Sequence, residues 1–173
     1  EWAWDISRKH FERALQLDPN NAYTLWMFAH VSSNLGRHDE ALAAIARARE
    51  LDPLSGLIHA MEGQFLLHAG RTDDAIHRLR ESLELDSKSR VAHLFTANAY
   101  IAKGLLEEAV GEASAARSLS PSNIQALTVE AYAFAKLGRT AQAHNALEEC
   151  LQTRNHRYVS PYCIAVICNG LDR

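Results

Sequence analysis

Apolar residues recur along the chain with the three-and-four spacing of an amphipathic helix. Between Asp39 and Glu50 they stand at positions 41, 42, 45 and 48, and a similar spacing returns between Asp73 and Glu84 at positions 75, 76, 79 and 83. Such spacing places the apolar side chains on one face of a helix and leaves the opposite face to charged residues. The pattern therefore predicts helices that pack against their neighbours along one face.

The helical pattern repeats at a fixed interval of 34 residues. Its clearest marker is a glycine, found at Gly36, Gly70, Gly104 and Gly138. A fixed interval of this size is the signature of an array of stacked structural repeats. Glycine adopts the left-handed backbone conformation without steric cost, so this residue is expected to end one helix of each repeat. Thr72 and Thr140, two residues after a glycine, are predicted to cap the helix that follows.

Two positions of the repeat hold only small residues. The two columns are Ala29, Gly63, Ala97, Ala131 and Ala165, and Ala14, Ala48, Ser82, Ala116 and Cys150. A larger side chain in such a column would overpack the contact between two helix backbones. Each repeat is therefore predicted to contain two helices in close contact.

Counting from Ala22 gives four complete repeats, at residues 22–55, 56–89, 90–123 and 124–157. Residues 1–21 are consistent with the second helix of an earlier repeat, and residues 158–173 with the first helix of a further one. The prediction is a single all-α domain over residues 1–173, with about ten helices and essentially no strand. Because both ends fall in the middle of a repeat, we expect the chain to be a fragment of a longer polypeptide.

The repeat resembles the tetratricopeptide repeat (TPR). That family has a small residue at position eight, an aromatic residue at eleven, alanine at twenty and proline at thirty-two. Position twenty holds Ala41, Ala75, Ala109 and Ala143. The aromatic residue is kept at Tyr100 and Phe134 only, and the proline at Pro53 and Pro121 only. The resemblance implies a right-handed superhelical α-solenoid of antiparallel helix pairs, whose first helices line a concave groove.

A narrower resemblance concerns four short stretches. Residues 14–20, 36–41, 50–55 and 157–162 are similar to the C-terminal TPR arrays of large bacterial regulators. In such proteins the array is a sensory or interaction arm behind a winged-helix DNA-binding, nucleotide-cyclase or kinase domain. The resemblance therefore implies a regulatory arm of a multidomain bacterial signalling protein.

Composition narrows the classes of partner. With 47% hydrophobic and 23% charged residues, the chain can bury a substantial core. Its formal net charge of −3 disfavours nucleic acids and anionic membranes, which attract a basic excess. No apolar run approaches the roughly 20 residues of a membrane span. Three cysteines near the C-terminus cannot form a disulfide framework, so a cytoplasmic location is expected.

Motifs of catalysis are not found. The sequence has no glycine-rich phosphate loop, no Gly-x-Ser-x-Gly elbow and no His-Glu-x-x-His. We therefore expect no enzyme activity, no cofactor and no metal. His59 and His93 share position four of successive repeats, but no carboxylate or thiolate completes a ligand set, which favours half-buried histidines with one hydrogen bond. Cys150, in a small column, is expected to pack rather than react.

Function is expected in the groove, which positions two, five, nine and thirteen of each first helix would line in a TPR array. The candidate partner-binding residues are Tyr23, Trp26, His30, Gln64, Leu94, Asn98, Thr128 and Tyr132. An apolar groove with a row of hydrogen-bonding residues suits an extended or helical protein segment, neutral or amphipathic. The charged clamp with which TPR co-chaperones hold a chaperone C-terminus is absent, because its positions include Trp26, His30 and Met61.

Two functions remain open at this point. The first is an interaction scaffold that uses the groove. The second is a structural or dimerisation arm that uses its ends and its convex face. The last predicted helix carries Tyr162, Ile164, Val166 and Ile167, which we expect to be uncovered and to favour a homo-oligomer.

Overall fold

The computed structural model describes residues 4–172, and all regular structure in this range is α-helical. The helices are α1 (Trp4–Leu17), α2 (Ala22–Asn34), α3 (His38–Leu51), α4 (Gly56–His68), α5 (Thr72–Leu85), α6 (Arg90–Lys103), α7 (Leu106–Leu119), α8 (Ile124–Lys136), α9 (Thr140–Arg154) and α10 (Pro161–Gly170). The all-α prediction is confirmed for these residues. Helices α2, α4, α6 and α8 begin at the first residues of the four predicted repeats. No helix among residues 4–172 has the length and apolar character to cross a bilayer.

The chain divides into two compact units, each described by itself. The N-terminal unit comprises residues 1–92 and the C-terminal unit residues 93–173. In the N-terminal unit, α2 packs against α1, α3 and α4, and α4 also packs against α3 and α5. In the C-terminal unit, α8 packs against α7, α9 and α10, and α10 also contacts α9. From α1 to α5 and from α7 to α10, helices that follow one another in sequence are thus neighbours in space.

The glycine column ends the first helix of every repeat in the same way. Gly36 has φ +73°, and the corresponding angles in the next three repeats are +76°, +79° and +75°. The Arg37 N–H donates to the Ser32 carbonyl at 2.9 Å and the Gly36 N–H to the Ser33 carbonyl at 3.1 Å. This pair of bonds is the Schellman motif, and it satisfies carbonyls that would otherwise be left free at the helix end. The predicted left-handed glycines are confirmed.

The predicted threonine caps are wrong. Thr72 and Thr140 are the first residues inside α5 and α9, and the capping positions hold Arg71 and Arg139 without a side-chain cap bond. The Schellman turn leaves only one residue between the glycine and the next helix, so the threonine falls one position too late. Side-chain caps occur instead on first helices, where Asn21 accepts from the Thr24 N–H at 2.9 Å.

The small-residue columns lie at tight helix contacts. Ala29, Ala48 and Ala131 are fully buried. At Gly63 a Cβ atom would stand 2.5 Å from Cγ of Leu79, so the helices α4 and α5 meet more closely than an alanine would allow. Ser82, in the second column, donates its hydroxyl to the Gly56 carbonyl at 2.7 Å. The predicted close approach of paired helices is therefore present at these positions.

One expected exposed residue of the last helix is buried. Ile167 has no exposed surface and packs in a cluster with Leu127, Leu147 and Cys150. It is covered because α10 lies against both α8 and α9. Ala165 and Tyr162, on the other face of α10, are exposed. The prediction that Ile167 is uncovered is thus wrong. The expected apolar patch is limited to the other face of α10.

Candidate partner-binding surfaces

Aromatic residues of α2 form one wall of a cleft in the N-terminal unit. Tyr23 is 66% exposed, and its ring meets that of Trp26 edge-on, with 5.3 Å between the centroids. The indole nitrogen of Trp26 is buried without a hydrogen-bond partner, so the residue presents its ring rather than its N–H. We call this space, of about 170 Å³, the aromatic cleft; it is lined by Ala22, Tyr23, Trp26, Asp52, Ser55, Leu57 and Ile58.

Polar side chains gather where the C-terminal ends of α2 and α4 meet. Asn34 Nδ2 lies 3.3 Å from Nε2 of His30. Ser33 Oγ lies 3.0 Å from Nδ1 of His68. The His30 ring is 6.2 Å from the Phe65 ring, centroid to centroid. Gln64 is half-buried on the same helix as Phe65. Of these residues, His30 and Gln64 stand at position nine of their repeats, and Asn34 and His68 at position thirteen.

Two histidines of this region favour their neutral form. Burial lowers the pKa of His30. Burial also lowers the pKa of His68, and the nearby imidazoles of His38 and His30 lower it further. A group whose charged form is disfavoured by its surroundings titrates below its ordinary range. The polar end of the α2 and α4 surface is therefore uncharged near pH 7.

The C-terminal unit has its own cleft. This space, of about 270 Å³, we call the α10 cleft, and it is lined by Asn98, Ile101, Val129, Tyr132, Tyr162, Val166 and Asn169. Apolar groups form most of the lining, with two amides available as donors and acceptors. Lys136 places its ammonium 5.7 Å from the centre of the Tyr132 ring and 3.5 Å from Asp172. The cleft thus combines apolar contact area with directed hydrogen bonds.

Comparison with known proteins identifies the family. Residues 7–65 and 66–131 match the tetratricopeptide repeat. The chain belongs to the tetratricopeptide repeat family. Among curated proteins, no sequence matches this TPR chain significantly.

Solved structures show the same fold. TTC0263, a thermophilic TPR protein from Thermus thermophilus, superposes with a TM-score of 0.86 at 16% identity, over 98% of this chain and 91% of that one. YrrB, described as a TPR protein with an unusual peptide-binding site, gives 0.68 at 16% identity, over 98% and 84%. The first TPR domain of Spaghetti (RPAP3), bound to the HSP90 peptide SRMEEVD, gives 0.63 at 19% identity, over 68% and 93%. The predicted α-solenoid of TPR helix pairs is confirmed.

Two of the candidate partner-binding residues are buried in this TPR chain. Leu94 packs with Ala116 and Ala126 in the core of the C-terminal unit. Thr128 is buried as well, and its hydroxyl donates to the Ile124 carbonyl at 2.7 Å. Neither side chain has surface left for a partner. The expectation that position five lines the groove in every repeat therefore needs correction at these two positions and at Ala60, which is fully buried too, since neighbouring helices cover them.

The α10 cleft includes residues that are not among the candidate partner-binding residues predicted from the sequence. Tyr162 and Val166 come from α10, and Asn169 follows one turn later. The 34-residue repeat could have indicated Tyr162 and Val166. One further step of 34 residues from Thr128 and Tyr132 leads to Tyr162 and Val166, at positions five and nine. Extending the groove rule to the last helix would have identified both.

Most charged side chains near these helices are paired with each other. Glu62 is buried and lies 2.8 Å from Nε of Arg49 and 3.1 Å from Nε of Arg78. In the C-terminal unit, the equivalent Glu130 is buried beside Ser114 and Arg117. Among the residues that line the clefts, Asp52 is charged in the aromatic cleft and none is charged in the α10 cleft. The two clefts are consequently suited to partners with little charge.

The histidines and cysteine considered for chemistry have structural contacts. His59 Nε2 lies 2.9 Å from the Pro53 carbonyl, and His93 Nδ1 lies 2.6 Å from Glu112. Among residues 4–172, no three His, Cys, Asp or Glu side chains are arranged to hold a metal ion. Burial raises the pKa of the Cys150 thiol to about 11, so the nucleophilic thiolate is disfavoured.

Proposed function

We propose that this TPR chain is a protein-interaction scaffold that binds extended or helical partner segments, in the aromatic cleft of the N-terminal unit and in the α10 cleft of the C-terminal unit, each taken by itself. The observation that carries the proposal is the aromatic cleft itself. It combines the exposed Tyr23 ring, the Trp26 ring and the exposed Leu57 in a concave space. Concave apolar sites with a few polar groups are where proteins bind ligands and peptide segments.

Two of the structurally similar proteins bind peptides, which supports a peptide segment as the partner of this chain. YrrB has a peptide-binding site, and the RPAP3 domain holds an HSP90 peptide. The aromatic cleft differs in chemistry from a site for an acidic peptide, because Trp26 lines it at a position where a charged clamp would stand. The partner segment is therefore neutral or amphipathic. The resemblance to the arrays of bacterial regulators favours a regulatory arm in the cytoplasm as the setting.

The test starts from peptides selected on the purified chain from a random display library. Trp26→Ala is expected to weaken binding of the selected peptide by about 2 kcal/mol or more, because aromatic anchors dominate interface energies. Asn98→Ala is expected to lower several-fold the affinity for a peptide that binds in the α10 cleft. One neutral hydrogen bond is worth about 0.5–1.5 kcal/mol. Isothermal titration calorimetry at two salt concentrations measures both effects, and affinity should change little with salt.

Two further variants make this test specific. Tyr23→Ala removes an exposed ring and so tests the aromatic cleft even if Trp26→Ala impairs folding. Arg47→Ala changes an exposed residue of α3 whose partners, Glu50 and Asn20, are also exposed, and it should bind like the wild type. Normal binding by both aromatic variants together with loss of binding in Arg47→Ala would exclude the groove and favour the structural arm.

The structural or dimerisation arm has one observation in its favour. Tyr158 is 84% exposed and Tyr162 is 74% exposed, both near α10. Large exposed aromatic side chains favour association. We expect the sedimentation coefficient to rise with protein concentration and to rise less in Tyr158→Glu. A strict monomer at high concentration in both proteins would exclude self-association through this face.

A further inference from the structure

The aromatic cleft contains a carboxylate as well as aromatic rings. Asp52, the residue that follows α3, is exposed and lines the same space as Tyr23 and Trp26. The planes of the two rings are inclined at 71° to each other, and both rings line the cleft. Among residues 4–172, no lysine, arginine or histidine lines this space. The fixed charge of the aromatic cleft is therefore negative.

Backbone hydrogen bonds hold Asp52 in place. Its N–H donates to the Ala48 carbonyl at 3.0 Å, and its carbonyl accepts from the Ser55 N–H at 3.3 Å. The turn between α3 and α4 is thus closed by backbone groups. The side-chain oxygens of Asp52 are not needed for the turn and are available to a partner.

The arginines near the end of α3 are bound to other carboxylates. Arg47 lies 2.7 Å from Glu50, and Arg49 lies 2.8 Å from Glu62. Within the part of the chain that the structure describes, no cationic side chain pairs with the carboxylate of Asp52. A carboxylate without an internal counter-ion attracts a cation from outside.

The helix starts beside the cleft are capped, which disfavours an anion there. At the start of α2, Asn21 accepts from the Thr24 N–H at 2.9 Å. At the start of α4, Ser55 accepts from the Ile58 N–H at 3.4 Å. These caps take up N–H donors that an anion would otherwise bind. The cleft therefore complements a positive charge better than a negative one.

We propose that the aromatic cleft receives one basic side chain, a lysine or an arginine, of the partner segment. The rings of Tyr23 and Trp26 would lie against its cation, and the carboxylate of Asp52 would be its counter-charge. Aromatic faces attract cations, and an ionised acceptor strengthens the hydrogen bonds of an ammonium or guanidinium group. The inference rests on the proposed function, and a segment with a single basic residue is still amphipathic.

The size of the cleft agrees with one side chain as its occupant. Its volume of about 170 Å³ is below the range of about 300–1,000 Å³ that is typical of sites for drug-sized ligands. A whole helix does not fit into such a space. The apolar part of the lining, which includes Leu57 and Ile58, suits the alkyl stem of a long basic side chain.

The next repeat offers a matched control. Asp86 follows α5 as Asp52 follows α3, at the same repeat position, and it is exposed as well. The preceding first helix holds Leu57 and Ala60 at the two positions of the aromatic pair. Asp86→Asn therefore removes the same charge from the same repeat position without changing the aromatic cleft.

Peptide selection measures the preference for a basic residue. The probe is a random heptapeptide display library, panned in parallel on the wild type, Asp52→Asn and Asp86→Asn. Peptides that bind Tyr23→Ala equally well are set aside, because they bind elsewhere. We expect lysine or arginine to be enriched more than about threefold at one position on the wild type and on Asp86→Asn, and clearly less on Asp52→Asn. Equal enrichment on Asp52→Asn, or no basic preference on the wild type, would overturn the proposal.

A side-chain fragment tests the cleft without a peptide. The probe n-butylammonium carries the cation and the alkyl chain of lysine, and n-butanol has a similar length without the charge. In NMR titrations followed at the amides of Tyr23 and Trp26, n-butylammonium is expected to bind at least about threefold more tightly than n-butanol. The difference should shrink in Asp52→Asn and persist in Asp86→Asn. Equal affinities of the two fragments for the wild type, or no binding of n-butylammonium, would contradict the proposal.

The two arms separate this inference from the proposed function. Selected peptides that depend on Tyr23 but carry no basic residue would overturn the inference and leave the scaffold function standing. Absence of any selected peptide would count against the scaffold function, while the fragment titration would still decide whether the aromatic cleft prefers a cation.

Discussion

Glu62→Ala is expected to lower the free energy of unfolding by about 3 kcal/mol. The side chain of Glu62 is only 9% exposed and has two arginines of α3 and α5, Arg49 and Arg78, as neighbours. Removing one partner of a buried ion pair leaves the other without compensation, at a cost of about 3–5 kcal/mol. Because both arginines retain some access to solvent and Arg78 keeps Glu81 as a partner, the lower end of that range applies. Urea unfolding followed by circular dichroism measures the change.

A matched glutamate serves as the control for this prediction. Glu50 binds Arg47 at 2.7 Å, but both side chains are largely exposed. Exposed pairs contribute about 0–1 kcal/mol, so Glu50→Ala should be nearly neutral. Glu62→Gln, which keeps the shape but not the charge, should fall between the two. Equal losses in Glu62→Ala and Glu50→Ala would show that the buried pair contributes no more than a surface pair.

Gly63→Ala and Gly111→Ala are expected to change stability in opposite directions. At Gly63 the new methyl group would lie 2.5 Å from Cγ and 2.9 Å from Cδ2 of the fully buried Leu79. Overpacking of this kind costs about 1–3 kcal/mol. At Gly111, within α7, no heavy atom lies within 4 Å of the new methyl group. There alanine should stabilise by about 0.5–1 kcal/mol, because glycine is the poorer helix former.

The steric cause at Gly63 can be isolated by a double-mutant cycle. Leu79→Ala alone opens a cavity and should destabilise by about 2–5 kcal/mol. Combined with Gly63→Ala, it should destabilise less than the sum of the single changes, since the clash is gone. Additive free energies, or a stabilising Gly63→Ala, would mean that α4 and α5 adjust without cost.

Much of the helix register can be predicted from the sequence. A glycine that recurs every 34 residues, together with the spacing of apolar residues between successive glycines, determines where each first helix ends. Both are properties of the local sequence. The helix starts at Gly56 and Ile124 and the left-handed Gly70 agree with that prediction. The threonine caps failed for an equally local reason, the one-residue connection after the glycine.

The candidate site could be predicted only in part. Tyr23 and Tyr132 line clefts as expected from their repeat positions. Leu94 and Thr128 occupy the same repeat position as Trp26 but are buried. A repeat position defines which face of a helix a residue occupies. It does not define how much of that face the neighbouring helices cover.

The tertiary structure also decides which charged residues are buried and which residues pair with them. Glu62 and Glu130 stand at position seven of alternate repeats, each thirteen residues after an arginine, Arg49 or Arg117. In the sequence, Glu62 is the single acidic residue of α4 and Glu130 the single acidic residue of α8, but the sequence does not say which side chains pair with them. Their burial becomes visible only once the preceding helix is packed against them.

The sequence by itself thus determined the family, the helical class, the repeat register and the glycine-ended first helices, because these follow from local backbone preferences and from the period of apolar residues. The tertiary structure alone decided that Ile167 is core, that Gly63 lacks space for a methyl group, that α10 completes a cleft with Tyr132, and that Ser33 of α2 lies 3.0 Å from His68 of α4. These properties depend on distances between side chains of different helices, which the periodicity of one chain does not contain.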